Sequence, residues 1–273
     1  MTATGNGTAD WWVVTDLDGT LLDHRYDWSP AAATLAVLRQ AGIPVIPCTS
    51  KTASEVRSLQ REMALVGPAI VENGGAVLLE RDAPERDEGL GPDSRSLHQA
   101  LMRMADATGV SLTALVDLEP EQVRRLTGLG GQALTMAMER QWSMPFLPPP
   151  ADTWPAVQAA AAAMGLKVLQ GNRLAHLIGG ATDKGLALAH LQRRLGAEGA
   201  SVLALGDSPN DLALLEAADV AVVVPGATGP HAELQENLNR GRYRLAPEPH
   251  GAGWAAAVRR VLAEAGRALP EPG

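Results

Sequence analysis

The chain has 273 residues, 46% of them hydrophobic and 20% charged, enough for one large or two ordinary domains around a real buried core. Its 23 Lys and Arg against 31 Asp and Glu leave a formal net charge of -8, which argues against a nucleic-acid-binding face, so an anionic substrate needs locally clustered cations. The single Cys48 excludes an internal disulfide framework and any Cys-based zinc site. No stretch approaches the ~20 apolar residues of a membrane span, and the first ten residues lack the basic and apolar regions of a signal peptide. The expectation is a cytoplasmic protein without nucleic-acid or membrane partners. Phe146 is the only phenylalanine, so Ala, Leu and Val must build the core, with most of the six tryptophans as packing residues whose indole N–H finds a partner at an edge.

Residues 1–10 are small and polar and read as a frayed tail. An apolar run at 11–15 then empties into the acidic segment Thr15-Asp16-Leu17-Asp18-Gly19-Thr20, the pattern of a buried strand ending in a loop. Ser29 and Pro30 are expected to cap and open a helix over 31–41, which Gly42 stops. A second strand at 43–48 runs into Thr49-Ser50-Lys51 and a helix over 52–65. A third at 69–71 turns at Asn73-Gly74 into 76–79. This alternation predicts a parallel sheet.

The alternation breaks in the polar, Gly- and Pro-rich segment 82–95. Helices are expected near 97–108 and 121–126, a strand over 133–138, and an Ala-rich helix over 154–164. A hairpin is expected about Gly171-Asn172, joining 167–170 to 173–178. Strands grouped with helices in this way suggest an α+β insert. Alternation resumes with a helix over 183–195, a strand at 202–205, the loop Gly206-Asp207-Ser208-Pro209-Asn210-Asp211, a strand at 220–224 and a last helix over 253–265. The predicted fold is therefore α/β: a Rossmann-like parallel-sheet core of residues 1–84 and 179–273, carrying an inserted α+β cap at 85–178.

In an open parallel sheet ligands sit beyond the carboxyl ends of the strands. Here three such ends carry Asp16 and Asp18, Thr49 to Lys51, and Asp207 with Asp211. Four carboxylates together repel one another, and a divalent cation with hard oxygen ligands, Mg²⁺, is their natural neutraliser. Each piece also has a plainer reading. Asp16-x-Asp18 alone makes an Asx turn, Ser208 with Asp211 makes a helix opening, and Lys184 makes a solvated charge. Capping leaves Asp207 unexplained. Cys48 reads as a small buried hydrophobe, and His24, His98, His190, His231 and His250, without metal-ligand spacing, as surface residues.

Taken in order, Asp16-Leu17-Asp18-Gly19-Thr20, Thr49, Lys184-Gly185 and Gly206-Asp207-Ser208-Pro209-Asn210-Asp211 resemble the motif set of the haloacid dehalogenase superfamily of phosphatases. The insert resembles the cap of its sugar-phosphatase branch. A narrower similarity, to the mannosyl-3-phosphoglycerate phosphatase family, rests on Cys48 to Thr52, Glu72-Asn73-Gly74-Gly75, Glu139-Arg140, Trp142-Ser143, Pro145-Phe146 and Arg173 to Gly185.

The resemblance implies Asp16 as nucleophile, Asp18 as acid and base, and Thr49 and Lys184 on the phosphoryl oxygens. Mg²⁺ would be held by Asp16, the Asp18 carbonyl and Asp207, with Asp211 bound through water or orienting the others. The substrate would be a phosphorylated glycoside, an osmolyte precursor, met by Ser50, Lys51, Asn73, Glu139, Arg140, Ser143, Arg173 and His176. Arg140 suits a carboxylate, Glu139 either sugar hydroxyls or Arg140 itself, and Asn73 either the active-site loop or a tight turn. Glucosyl-3-phosphoglycerate and other sugar phosphates compete as substrates. A phosphomannose mutase or sucrose-phosphate phosphatase would use much of the same core. Further off stand a metal-dependent nucleotide-sugar transferase built on Asp16-x-Asp18 and a silent sugar-binding protein.

Overall fold

The computed structural model describes residues 11–171 and 173–270, so the frayed tail expected over 1–10 and the turn expected at Asn172 fall outside the described residues. In chain order the strands are β1 (Trp11–Thr15), β2 (Val45–Pro47), β3 (Ala69–Val71), β4 (Ala76–Leu78), β5 (Glu88–Gly89), β6 (Met144–Phe146), β7 (Leu166–Gln170), β8 (Ala175–Gly179), β9 (Ser201–Gly206), β10 (Val220–Val223) and β11 (Arg244–Leu245). The helices are α1 (Ala32–Gln40), α2 (Ala53–Glu62), α3 (Ser94–Thr108), α4 (Pro120–Thr127), α5 (Gly131–Met138), α6 (Trp154–Ala163), α7 (Lys184–Leu195), α8 (Leu212–Glu216), α9 (Gln235–Asn239) and α10 (His250–Glu264). They fall into two compact units. One comprises the chain up to Ile46, Ala189–Asp207 and the chain from Leu215, and the other Pro47–Leu188 with Ser208–Leu214.

The first unit is built on the sheet β11-β10-β9-β1-β2, whose β1–β9, β9–β10 and β10–β11 pairs are all parallel, as the alternation of apolar runs and helices requires. Strands β1 and β9 are buried almost throughout, which is why they read as continuous apolar runs. Helix α10 buries Trp254, Ala257, Val258, Val261 and Leu262, the i, i+3, i+4, i+7, i+8 stripe of a helix lying on a core. Trp254 is fully buried and its indole N–H donates to Thr15 Oγ1 at 2.9 Å, so this indole is satisfied inside the core and not at an edge.

The second unit holds two antiparallel sheets, β3-β4-β5 and β6-β8-β7. The β3–β4 hairpin turns through Glu72–Gly74. Leu97, Leu101 and Met104 of α3 and Val157 and Ala161 of α6 pack with Phe146, Val168 and Leu177 of the second sheet into one apolar cluster. The expected β7–β8 hairpin is present. Pairing of His176 with both Pro145 and Leu169 places these three in one cross-strand row, the alternate residues of β8, Ala175 and Leu177, facing the apolar cluster.

Two expectations are corrected. Residues 133–138 are helical, within α5, because Gln, Ala, Leu and Met are strong helix formers and outweigh a short alternation of apolar residues. Ser29 does not cap α1: a 3₁₀ turn over Ser29–Ala31 precedes the helix, and the Ser29 hydroxyl and amide donate to the Asp27 carboxylate instead. The polar segment 82–95 carries a 3₁₀ turn, the short β5 and the start of α3 capped by Asp93.

Candidate active site

In the first unit, β1 and β9 are adjacent and parallel with Thr15 opposite Leu205, so their carboxyl ends deliver Asp16 and Asp207 to one edge of the sheet. Asp16 is 4% exposed, and its amide donates to the Leu205 carbonyl at 2.9 Å. The Thr15 hydroxyl that accepts from Trp254 donates in turn to the Asp16 carbonyl at 2.7 Å, fixing the strand end from the core. Thr20 Oγ1 donates to Asp207 Oδ1 at 3.3 Å. A carboxylate oxygen of Asp16 and one of Asp207 lie within 4.8 Å of each other, a pair of hard oxygen donors that fits a Mg²⁺-class ion.

From Leu17 to Leu22 the chain turns back tightly: Gly19 N–H donates to Leu22 O and Leu22 N–H to Leu17 O. Gly19 sits at φ +86°, and a Cβ there would stand 2.5 Å from Asp207 Oδ2, so only glycine fits beside that carboxylate. The Asp18 side chain is exposed. His250, expected on the surface, is half-buried and its ring N–H donates from Nδ1 to the Gly19 carbonyl at 2.9 Å.

The second unit carries the cationic residues. Thr49 is fully buried, donates its amide to Ile70 O, and accepts at Oγ1 from Lys51 N and at its carbonyl from Asn73 N. Lys51 is 6% exposed with Nζ 3.7 Å from Glu55 of α2, whose first turn is fixed by a Thr52–Glu55 capping box. Lys184 opens α7 fully buried, and its Nζ donates to Asp211 Oδ1 at 2.5 Å. Asp211 Oδ2 accepts from Ser208 N at 3.1 Å, so the helix-opening role of that pair and its ion pair coexist. Asn73, at φ +59°, accepts at Oδ1 from Asn210 Nδ2 at 3.2 Å, serving both the turn and the loop.

Arg140 and Ser143 lie together. Arg140 Nη1 donates to the Ser50 carbonyl at 2.9 Å and to Ser143 Oγ at 3.1 Å, while Arg140 Nε is buried without a hydrogen-bond partner. Glu139 bonds to Ser54 and not to Arg140. His176 Nδ1 is likewise buried without a partner, in a residue that is half-buried as a whole. Burial of the ring, and after it the positive charge of Arg140, lowers its pKa from 6.5 to about 3, so the imidazole is neutral at pH 7. Arg173 is exposed and donates to the Thr127 carbonyl at the end of α4.

Two further residues hold these segments and were not among the expected site residues: His250, and Glu72, which is fully buried and accepts from Gln141 N, Trp142 N and Ser143 Oγ. For Glu72 a signal existed in its position just before Asn73-Gly74, but its partners lie about seventy residues on, beyond the reach of local pattern.

Residues 13–98 match the family model of haloacid dehalogenase-like hydrolases, and residues 158–260 match that of sucrose-6F-phosphate phosphohydrolase. A glucosyl-3-phosphoglycerate/mannosyl-3-phosphoglycerate phosphatase from Persephonella marina is 30% identical over 267 residues, covering 92% of this chain and 97% of the relative. Among solved structures, the sucrose-phosphatase of Synechocystis, in complex with sucrose and phosphate, superposes with a TM-score of 0.63 at 18% identity over 95% of this chain and 99% of its own. A haloacid dehalogenase-like hydrolase from Bacteroides thetaiotaomicron gives 0.67 at 18% over 92% and 98%. With motifs, parallel sheet and a full-length relative in agreement, the chain belongs to the haloacid dehalogenase-like phosphatases.

Proposed function

We propose that the protein is a Mg²⁺-dependent phosphatase that hydrolyses mannosyl-3-phosphoglycerate to mannosylglycerate and phosphate. The observation that carries the chemistry is the Asp16–Asp207 pair at adjacent strand ends, and the full-length relative supports the substrate. In this reading Asp16 attacks phosphorus in line and forms an aspartyl-phosphate, splitting one hard hydrolysis into two easier steps. Asp18 protonates the departing glycerate oxygen, then takes a proton from the water that attacks the acyl-phosphate and regenerates the Asp16 carboxylate. Such acid–base work is worth typically ~10²- to 10⁴-fold.

The metal would be held by Asp16, the Asp18 carbonyl and Asp207, with Asp211 in support, and when bound it neutralises the two anions that must meet. Thr49 and Lys184 hold the non-bridging phosphoryl oxygens as charge shifts onto them. Residues 85–178 act as the cap that reads the rest of the substrate. Arg140, whose buried Nε lacks a protein acceptor, takes the glycerate carboxylate. Neutral His176, with Ser50, Lys51, Asn73, Glu139, Ser143 and Arg173, contacts the sugar and glycerate oxygens.

A second reading is favoured by the match of residues 158–260 to sucrose-6F-phosphate phosphohydrolase, that of a phosphatase of a larger sugar phosphate. Phosphate release from mannosyl-3-phosphoglycerate, glucosyl-3-phosphoglycerate and sucrose 6-phosphate, compared as kcat/KM, separates them. The mannosyl compound is expected to lead. Equal turnover of the two phosphoglycerates sinks the mannose assignment, and preference for sucrose 6-phosphate establishes the second reading.

A further inference from the structure

We infer that Glu72 is the positioning residue that aims the Arg140 guanidinium at the carboxylate of the substrate, an inference that rests on the phosphatase reading above. Glu72 is fully buried, and every acceptor site it uses is filled from one stretch of chain. Oε1 accepts from Gln141 N at 2.9 Å, and Oε2 accepts from Trp142 N at 3.1 Å and Ser143 Oγ at 2.6 Å. Ser143 Oγ in turn accepts from Arg140 Nη1, and that same nitrogen donates to the carbonyl of Ser50.

The main chain of Glu72 completes the connection. Its amide donates to Lys51 O at 3.0 Å and the next amide, of Asn73, to Thr49 O at 2.9 Å. One residue therefore ties the loop 49–51, where phosphoryl oxygens are to be held, to the segment 140–143, where the carboxylate is to be met. Both jobs need an unusual backbone: Glu72, Asn73 and Gly74 are successively left-handed at φ 50°, 59° and 88°, and for glutamate that is a strained conformation of the kind concentrated at functional sites. The two segments also approach so closely that a Cβ on Gly75 would stand 2.8 Å from the Trp142 Cβ.

A carboxylate is the group this position requires. Three donors converge on two oxygens, and an amide in its place would turn an N–H₂ toward at least one of them. With Nη1 held by Ser50 and Ser143, the Arg140 fork cannot swivel, and its buried Nε is left as the donor without a protein acceptor. Glu72 touches no substrate in this arrangement; it acts through Ser143 on Arg140.

The test is a double-mutant cycle of Glu72→Gln and Arg140→Ala, read as kcat and KM for mannosyl-3-phosphoglycerate with Mg²⁺. Glu72→Gln is expected to raise KM about ten-fold with a much smaller change in kcat, the pattern of lost uniform binding. In the Arg140→Ala background the same change should move KM by less than about two-fold, because the two residues act as one unit. Additive effects on KM, or a loss confined to kcat, overturn the inference. Should Glu72→Gln melt too low to assay, Ser143→Ala removes the bridging hydroxyl alone and carries the same cycle.

A crystal structure of Glu72→Gln judges the geometry without any substrate. Arg140 Nη1 is expected to leave the Ser50 carbonyl, and an unmoved guanidinium overturns the inference. Failure of the wild-type enzyme to release phosphate from either phosphoglycerate strikes the functional reading instead, and leaves the geometry to that structure.

Discussion

Replacing Lys184 by methionine keeps the volume of the side chain but leaves the Asp211 carboxylate buried without that cation. In the native protein Nζ and Oδ1 are 2.5 Å apart with the two side chains 1% and 0% exposed. Breaking a buried pair by removing one partner costs about 3–5 kcal/mol, because the surviving charge keeps its desolvation penalty. At about 2–4 °C per kcal/mol for a chain of this size class, Lys184→Met should lower Tm by about 6–20 °C. Adding Asp211→Asn removes the stranded charge while the amide oxygen still accepts from Ser208 N. The double variant should recover half or more of the loss, although both variants are expected to be inactive. Thermal melts followed by circular dichroism with matched urea titrations supply the numbers. A double variant as unstable as Lys184→Met, or a single variant within about 1 kcal/mol of wild type, refutes the claim that the ion pair is energetically coupled.

Gly19→Ala forces a Cβ onto the Asp207 carboxylate at φ +86°, and the resulting displacement should cut kcat by about 10²-fold at saturating Mg²⁺; a wild-type rate counts against the tight loop. Mg²⁺ at a hundred times its Kd should stabilise the protein by about 2.7 kcal/mol in calorimetry, and Asp207→Asn should abolish that gain. An equal gain in the variant places the metal elsewhere. His176, with its folded pKa lowered from 6.5 to about 3, takes up a proton in the unfolded chain before it does in the folded one. Its contribution to stability is therefore whole above pH 6.5 and lost progressively as pH falls toward 3. Urea midpoints measured from pH 7.5 to 4.5 should decline less steeply in His176→Asn than in wild type, and parallel declines contradict the burial of a neutral ring.

The parts of this molecule that announce themselves in the sequence are those whose cause is local. Strands β1 and β9 are apolar runs because both faces are covered, and each ends at aspartate because the chain leaves the core there. Asp207 stood out because capping explained Ser208 and Asp211 but not its own carboxylate, and it lies beside Asp16. The α5 segment misled because Ala133 to Met138 satisfies a period of two and a helix equally over so few residues. Contacts closed by tertiary structure left no local trace. His250 reaches Gly19 across 231 positions, and Glu72 reaches Ser143 across 71, each through a polar atom that the sequence shows only as one polar residue among many. Glu139 illustrates the same limit from the other side: proximity in sequence to Arg140 suggested a pair, yet its carboxylate goes to Ser54 of α2.

The central claim, metal-dependent phosphoryl transfer to Asp16, is tested most directly by phosphate release from mannosyl-3-phosphoglycerate measured with Mg²⁺, with EDTA, and with Asp16→Asn. The account predicts release with Mg²⁺, its loss in EDTA and recovery when Mg²⁺ is restored, and no release by an Asp16→Asn protein that melts like wild type. Release at the wild-type rate in EDTA or by the folded variant would contradict it.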